Sequence, residues 1–163
     1  MKKLMLIAAM VLISTGAFAQ EKGMKCLGVG VSYGIKSHAN KIAIDAKAQY
    51  NVTDYFRAEF DFKFYPKQDA CHVINPNLNL QYLIPIGDSE KFFVYPTAGV
   101  GILAAYYTDF DTETMFNFQG GAGAEYHFSE KIKFFAEAIY QYAKKNEAKF
   151  DWPILSIGAA YYF

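Results

Sequence analysis

The sequence has little of what marks a disulfide-stapled domain or a nucleic-acid binder. Tryptophan occurs once, at Trp152, cysteine only at Cys26 and Cys71, and proline five times in 163 residues. Two cysteines cannot make a disulfide framework. An excess of one charge is also missing, with 16 Lys and Arg against 16 Asp and Glu. The basic footprint of a nucleic-acid binder is therefore absent. No segment after the first 13 residues is apolar enough for a spanning helix, which wants roughly 20 apolar residues. If the chain enters a membrane, it must do so as strands. What the sequence has in quantity is phenylalanine and tyrosine, 15 and 13 residues, which bring the aromatic share to 18%.

The first residues read as an export signal. Met1-Lys2-Lys3 is followed by the apolar run 4–13 and then by Ala17-Phe18-Ala19, a basic start, short greasy stretch and small-x-small ending, with cleavage expected after Ala19. Ser14, Thr15 and Gly16 interrupt the run, which argues against a membrane anchor. A lipidated signal would need a cysteine at the cleavage point, whereas Gln20 stands there and Cys26 follows Gly23-Met24-Lys25. The expected division is a signal peptide over 1–19 and one domain over 20–163. Loss of Lys2 and Lys3 leaves 14 basic against 16 acidic residues.

Beyond the signal, apolar and polar residues alternate with period two in eight runs, the mark of strands with two unlike faces. In the clearest, Phe56, Ala58, Phe60, Phe62 and Phe64 alternate with Arg57, Glu59, Asp61, Lys63 and Tyr65. The second, fourth and seventh runs set apolar residues of 42–50, 78–86 and 132–142 against Asp45, Lys47 and Gln49, against Asn77, Asn79 and Gln81, and against Lys133, Glu137 and Gln141. In the first, fifth, sixth and eighth runs (27–35, 97–106, 116–126 and 155–163) glycine, alanine and serine largely replace the charges, with Glu125 among them. Tight turns at 51–54, 87–90 and 129–130 alternate with longer connections at 36–41, 66–72, 108–114 and 144–151. With both termini on the inner side, three turns face the periplasm and four loops face outward, which requires an even strand number. The expected fold is an all-β, eight-stranded, antiparallel, up-and-down transmembrane β-barrel.

A soluble barrel also alternates, but with its apolar face inward. The polar face decides between the two. Rows of glycine facing water would weaken four strands, whereas an eight-stranded barrel has a lumen just wide enough for side chains to fill. Long charged side chains need room there, and glycine-lined strands are expected to supply it. Aromatic residues gather at both ends of the runs: Tyr50, Tyr55, Phe56, Phe92, Tyr126, Phe128, Tyr161 and Phe163 at the turn side, and Tyr65, Tyr106, Tyr107, Tyr140, Tyr142 and Trp152 at the loop side. Two such girdles belong to membrane barrels. Cys26 and Cys71 fall at opposite rims on this map, farther apart than the ~7 Å a disulfide allows, and are expected to stay unpaired.

The chain ends Ser156-Ile157-Gly158-Ala159-Ala160-Tyr161-Tyr162-Phe163. This polar-x-Gly-x-x-aromatic-x-Phe ending resembles the terminal signal of outer-membrane barrels, and the resemblance implies that the barrel-assembly machinery reads Ser156, Gly158, Tyr161 and Phe163. The whole region from about residue 24 to 163 resembles the small OmpA/OmpX-like β-barrel family, and the Ala-Gln cleavage context resembles members from Bacteroidetes-type bacteria. Its outer loops are short beside that pattern.

Nine inward charges form the candidate site: Asp45, Lys47, Arg57, Glu59, Asp61, Lys63, Glu125, Lys133 and Glu137. Buried charge is tolerable when paired, so they read as an interlocking plug rather than as a selective pore. His127-Phe128-Ser129 resembles the His-x-Ser of outer-membrane lipid A deacylases, but the map puts it at a periplasmic turn with His127 pointing inward. Gly120-Gly121-Ala122-Gly123 lies inside a strand with no helix after it, which removes the phosphate-loop mechanism. Asp109, Asp111 and Glu113 read as a solvated loop before a cation site. Lys144, Lys145 and Lys149 could touch lipopolysaccharide, diluted by Glu147 and Asp151. The functional expectation is a non-enzymatic, monomeric outer-membrane barrel in a structural, adhesive or surface-interaction role. It needs no cofactor or metal, and its partners are outer-membrane lipid, lipopolysaccharide and the assembly machinery, without nucleic acid. The alternatives are a lipid A deacylase-like enzyme and a soluble lipocalin-like carrier.

Overall fold

The computed structural model describes residues 22–35, 42–68, 71–87, 91–107, 112–145 and 148–163. The signal segment, Asp109, Asp111 and Glu147 lie outside the described residues. Nine strands follow in order: β1 (Lys25–Gly34), β2 (Ile42–Asn51), β3 (Phe56–Gln68), β4 (Cys71–Tyr82), β5 (Ile84–Ile86), β6 (Phe92–Tyr107), β7 (Glu113–His127), β8 (Ile132–Lys145) and β9 (Ala148–Tyr162). Every pairing is antiparallel. β1 joins β2 on one side and β9 on the other, and β4 joins β6, so the sheet closes on itself.

β4 and β5 are two parts of one stave, so the closed barrel has eight. Both pair with β6, Gln81 opposite Thr97 and Ile84 opposite Val94. Pro96 of β6 falls between those partners and brings no N–H to the ladder. At the same level the Leu83 N–H turns away and donates to the Tyr55 carbonyl at 2.7 Å. The ladder between β6 and this stave is therefore one donor short at Pro96.

Every stave shows the period-two division, and its sense is inverted relative to a soluble protein. Arg57, Lys63, Lys91 and Lys133 are among the largest fully buried side chains, while Val29 and Ile157 are each 67% exposed. The apolar side chains cover the outside of the closed sheet, and closure leaves no strand edge to be satisfied in hydrocarbon.

Several boundaries differ from the pattern-based reading. The segment 66–72 is mostly ladder rather than loop: β3 continues to Gln68 and β4 begins at Cys71, with a register irregularity between Tyr65 and Gln68 that absorbs Pro66. The fifth stave starts at Phe92 instead of Thr97, and the last at Ala148 instead of Leu155. Toward the loop end the faces lose their contrast. Tyr65, Val73, Leu103 and Ala105 form a buried apolar cluster inside the barrel, with Met115 and Trp152 packed on it. Tyr65 and Trp152 thus leave the girdle to which they had been assigned. At the turn end, Leu83, Phe93 and Tyr95 make one inner cluster, and Cys26, Ala160 and Tyr162 another. Cys26 forms no disulfide; its thiol donates to Gln49 Oε1 at 2.9 Å. The lumen is layered, apolar toward the loop end and mixed toward the turn end, where Lys91 and His127 lie beyond Phe93.

Candidate functional site

The polar layer is built by inward positions of neighbouring staves in register. Asp45 faces Lys63 and Lys47 faces Asp61 across β2 and β3, while Glu125 and Glu137 arrive from β7 and β8. Among the described residues the buried charges balance. Five carboxylates (Asp45, Glu59, Asp61, Glu125 and Glu137) share the interior with five cations (Lys47, Arg57, Lys63, Lys91 and Lys133). Lys91, 1% exposed, is the cation that pattern reading missed, because it follows the 87–90 turn and precedes any recognisable alternation.

Two clusters divide these charges along the barrel axis. Near the turn end, Glu125 is encircled by cations. The Arg57 guanidinium donates to both of its oxygens, at 3.0 and 2.7 Å, and Lys133 Nζ lies 2.8 Å away. His127 Nε2 is 3.1 Å from the same carboxylate, and Arg57 Nε donates to Gln81 at 2.6 Å. Bidentate pairing of a guanidinium with a carboxylate is the strongest ion-pair geometry available to side chains.

The second cluster has carboxylates in excess. Lys47 Nζ stands 2.6 Å from Glu137, 3.3 Å from Glu59 and 3.9 Å from Asp61. Lys63 pairs with Asp61 and lies 3.8 Å from Asp45. Amides satisfy much of what remains. Gln49 donates to Glu59 at 2.5 Å, Asn79 to Glu59 at 2.9 Å, and Gln119 to Asn79 at 2.6 Å. The Ser32 hydroxyl bonds to Asp45 and meets the Ser156 hydroxyl at 2.6 Å. Ser156, on the polar face of the last run and part of the terminal motif, therefore also belongs to the lumen network.

Aromatic rings complete the packing around the cations. Arg57 lies 5.0 Å from the Tyr95 ring centre, Lys47 5.0 Å from that of Phe135, and Lys133 5.1 Å from that of Tyr162. Such contacts are favourable where water is excluded. Tyr95 also links the two clusters, its face to Arg57 and its hydroxyl donating to Glu137 at 2.9 Å. The glycine rows serve these rings and the amides rather than the long charged chains as expected. A Cβ on Gly123 would enter the Tyr95 ring, one on Gly158 the Phe135 ring, and those on Gly99 and Gly101 the side chains of Asn79 and Asn77. Tyr95→Phe is expected to cost about 1.5–3 kcal/mol through the lost bond to a charged acceptor, read as a lower urea midpoint, with the ring still over Arg57.

The other sequence candidates are placed as follows. His127 is 3% exposed inside the barrel, its ring against Phe93 and Tyr162. Ser129 sits in the β7–β8 turn, where its hydroxyl oxygen accepts from the backbone N–H groups of Lys131 and Ile132 at 3.3 and 3.1 Å. A turn-capping serine beside a carboxylate-bound lumen histidine does not make a nucleophile and base facing the outer leaflet. The glycines of 120–123 lie within β7. In the terminal motif, Ser156 is buried, Gly158 lies beneath Phe135, and Tyr161 and Phe163 face outward at 47% and 70% exposure.

This architecture has solved counterparts. The N-terminal β-barrel domain of Pseudomonas aeruginosa OprF superposes with a TM-score of 0.67 at 19% identity, over 88% of this chain and all of that one. Outer membrane protein OprG from the same organism gives 0.60 at 17% identity, covering 91% of this chain and 98% of its own. Ail, the attachment invasion locus protein of Yersinia pestis, gives 0.53 at 16%, over 87% and 99%. At such identities the likeness is one of fold. Among curated proteins no sequence matches significantly. Residues 5–163 match the family described as the outer membrane protein beta-barrel domain, and with this closed barrel, its apolar face outward, the chain belongs to that family.

Proposed function

We propose that the protein is a non-enzymatic, monomeric barrel of the bacterial outer membrane whose lumen is sealed by its own ion pairs, leaving the outward surfaces and loops to do its work. The observation that carries this reading is the sealed layering. Ion-paired charges with no solvent access lie beneath the loop-end apolar cluster, with Leu83, Phe93 and Tyr95 packed among them toward the turn end. A water-filled channel would need those charges hydrated and the packed side chains parted. Export through a signal removed near Ala19, and insertion by the barrel-assembly machinery through Ser156, Gly158, Tyr161 and Phe163, complete the proposal. Outer-membrane lipid and lipopolysaccharide are then its immediate surroundings. A structural or adhesive role fits a barrel that conducts nothing, and Ail, of similar fold, is named for attachment.

Planar-bilayer recording of the refolded protein tests the sealed lumen. The expected trace shows no steady conductance. Large, stable steps would overturn the proposal and make the protein a pore.

A further inference from the structure

The outer face of β7, β8 and β9 carries an arrangement near the loop end that the lumen does not explain. Phe116, Lys144 and Lys149 are successive cross-strand partners, and Phe118, Tyr142 and Asp151 form the next row inward along the strands. Both lysines are exposed, and neither forms an ion pair among the described residues. Like charges directly opposed on one sheet face repel. Asp151, one row inward, accepts from the Tyr140 hydroxyl on the membrane side. Phe116 beside the ammonium pair and Phe118 in the row below it are 69% and 60% exposed, an open apolar slope.

Two adjacent ammonium groups above an aromatic slope fit a headgroup carrying two negative charges on a compact group, with chains attached. A phosphomonoester carries about −1.5 to −2 at neutral pH, against a single charge for a phosphodiester. We propose that Lys144 and Lys149 together bind the phosphomonoester of an outer-leaflet lipid, its acyl chain lying over Phe116 and Phe118. The inference rests on the barrel spanning the outer membrane with its loop end outward. It does not depend on whether the lumen conducts.

Native mass spectrometry of the folded barrel in detergent tests it, with phosphatidic acid as the probe and phosphatidylglycerol and phosphatidylcholine as controls. The intact protein should retain phosphatidic acid over both controls. K144Q/K149Q should bind it about thirty-fold more weakly, from the attraction typical of two lysines near an anionic surface, while K144R/K149R should keep it. Heat-modifiable gel mobility verifies that each variant is folded. Equal retention by the intact protein and K144Q/K149Q would overturn the site, as would phosphatidylcholine binding as tightly as phosphatidic acid. Displacement by millimolar inorganic phosphate would also overturn it, as a small-anion site without a lipid. None of these outcomes alters the bilayer recording, so failure here and failure of the sealed lumen are distinguishable.

Discussion

Glu125→Ala is expected to destabilise the barrel by about 3–5 kcal/mol, the cost of leaving a buried charge without its partner. Glu125 is the carboxylate that neutralises the turn-end cluster, and it accepts from Arg57 through both oxygens and from Lys133. Both cations are fully buried, so water cannot replace it. The other carboxylates are less critical individually. Loss of Glu59, for example, leaves Lys47 with Glu137 at 2.6 Å. Glu130→Ala, in the exposed turn after β7, should stay within about 0.5 kcal/mol. The cost belongs to the broken pairing rather than to the absence of ion pairs as such. R57M/E125L should therefore recover only part of the stability, because Lys133 remains unpaired, and adding K133M should recover most of the rest. Urea unfolding in lipid vesicles, followed by heat-modifiable mobility, measures all of these. If E125A unfolds at the same urea concentration as E130A, the network does not hold the barrel together.

Gly158→Ala is the second large effect, expected to cost about 1–3 kcal/mol or more by overpacking. Gly158 pairs with Gly30 on one side and with Phe135 on the other, at the seam where β9 meets β1 and the barrel closes. The Phe135 ring crosses the two glycines. An added methyl would run into that ring and into the Val29 carbonyl, and the backbone oxygen cannot retreat without parting the seam. Refolding into pure lipid, with no cellular machinery present, should therefore lose yield and shift its urea midpoint. Phe163→Ala separates packing from recognition. Phe163 is 70% exposed, so this variant should refold in pure lipid as the parent does, while its assembly in cells falls. Wild-type refolding of G158A would remove the steric account.

Strand identity, the inward or outward face of each residue, and the even count were legible where polar and apolar residues strictly alternate, as along 56–64. Period two is a local property, and any strand with unlike faces displays it. It fades where a face changes character. Tyr95 is an inward aromatic that lies before the run read at 97–106, and nothing local distinguishes it from the outward ones. Lys91 stands at a turn before any alternation begins, and Pro96 made the start of β6 look like a boundary. Residues 66–72 and 144–151 read as loops because polar residues crowd both segments, with Pro66 opening the first, while the lumen turns apolar at that end and erases the contrast that a pattern needs.

Composition and spacing along one strand are enough to say that the chain crosses a membrane as strands and keeps charge inside a narrow barrel. Only closure decided the partners. Arg57 and Glu125 lie 68 residues apart, on staves that do not pair with one another, and they meet because the sheet curls until its inner faces oppose. Which carboxylate answers which cation, which glycine yields to which ring, and that an apolar cluster closes over the loop end are properties of facing walls. A register read along a single strand contains no information about the wall opposite.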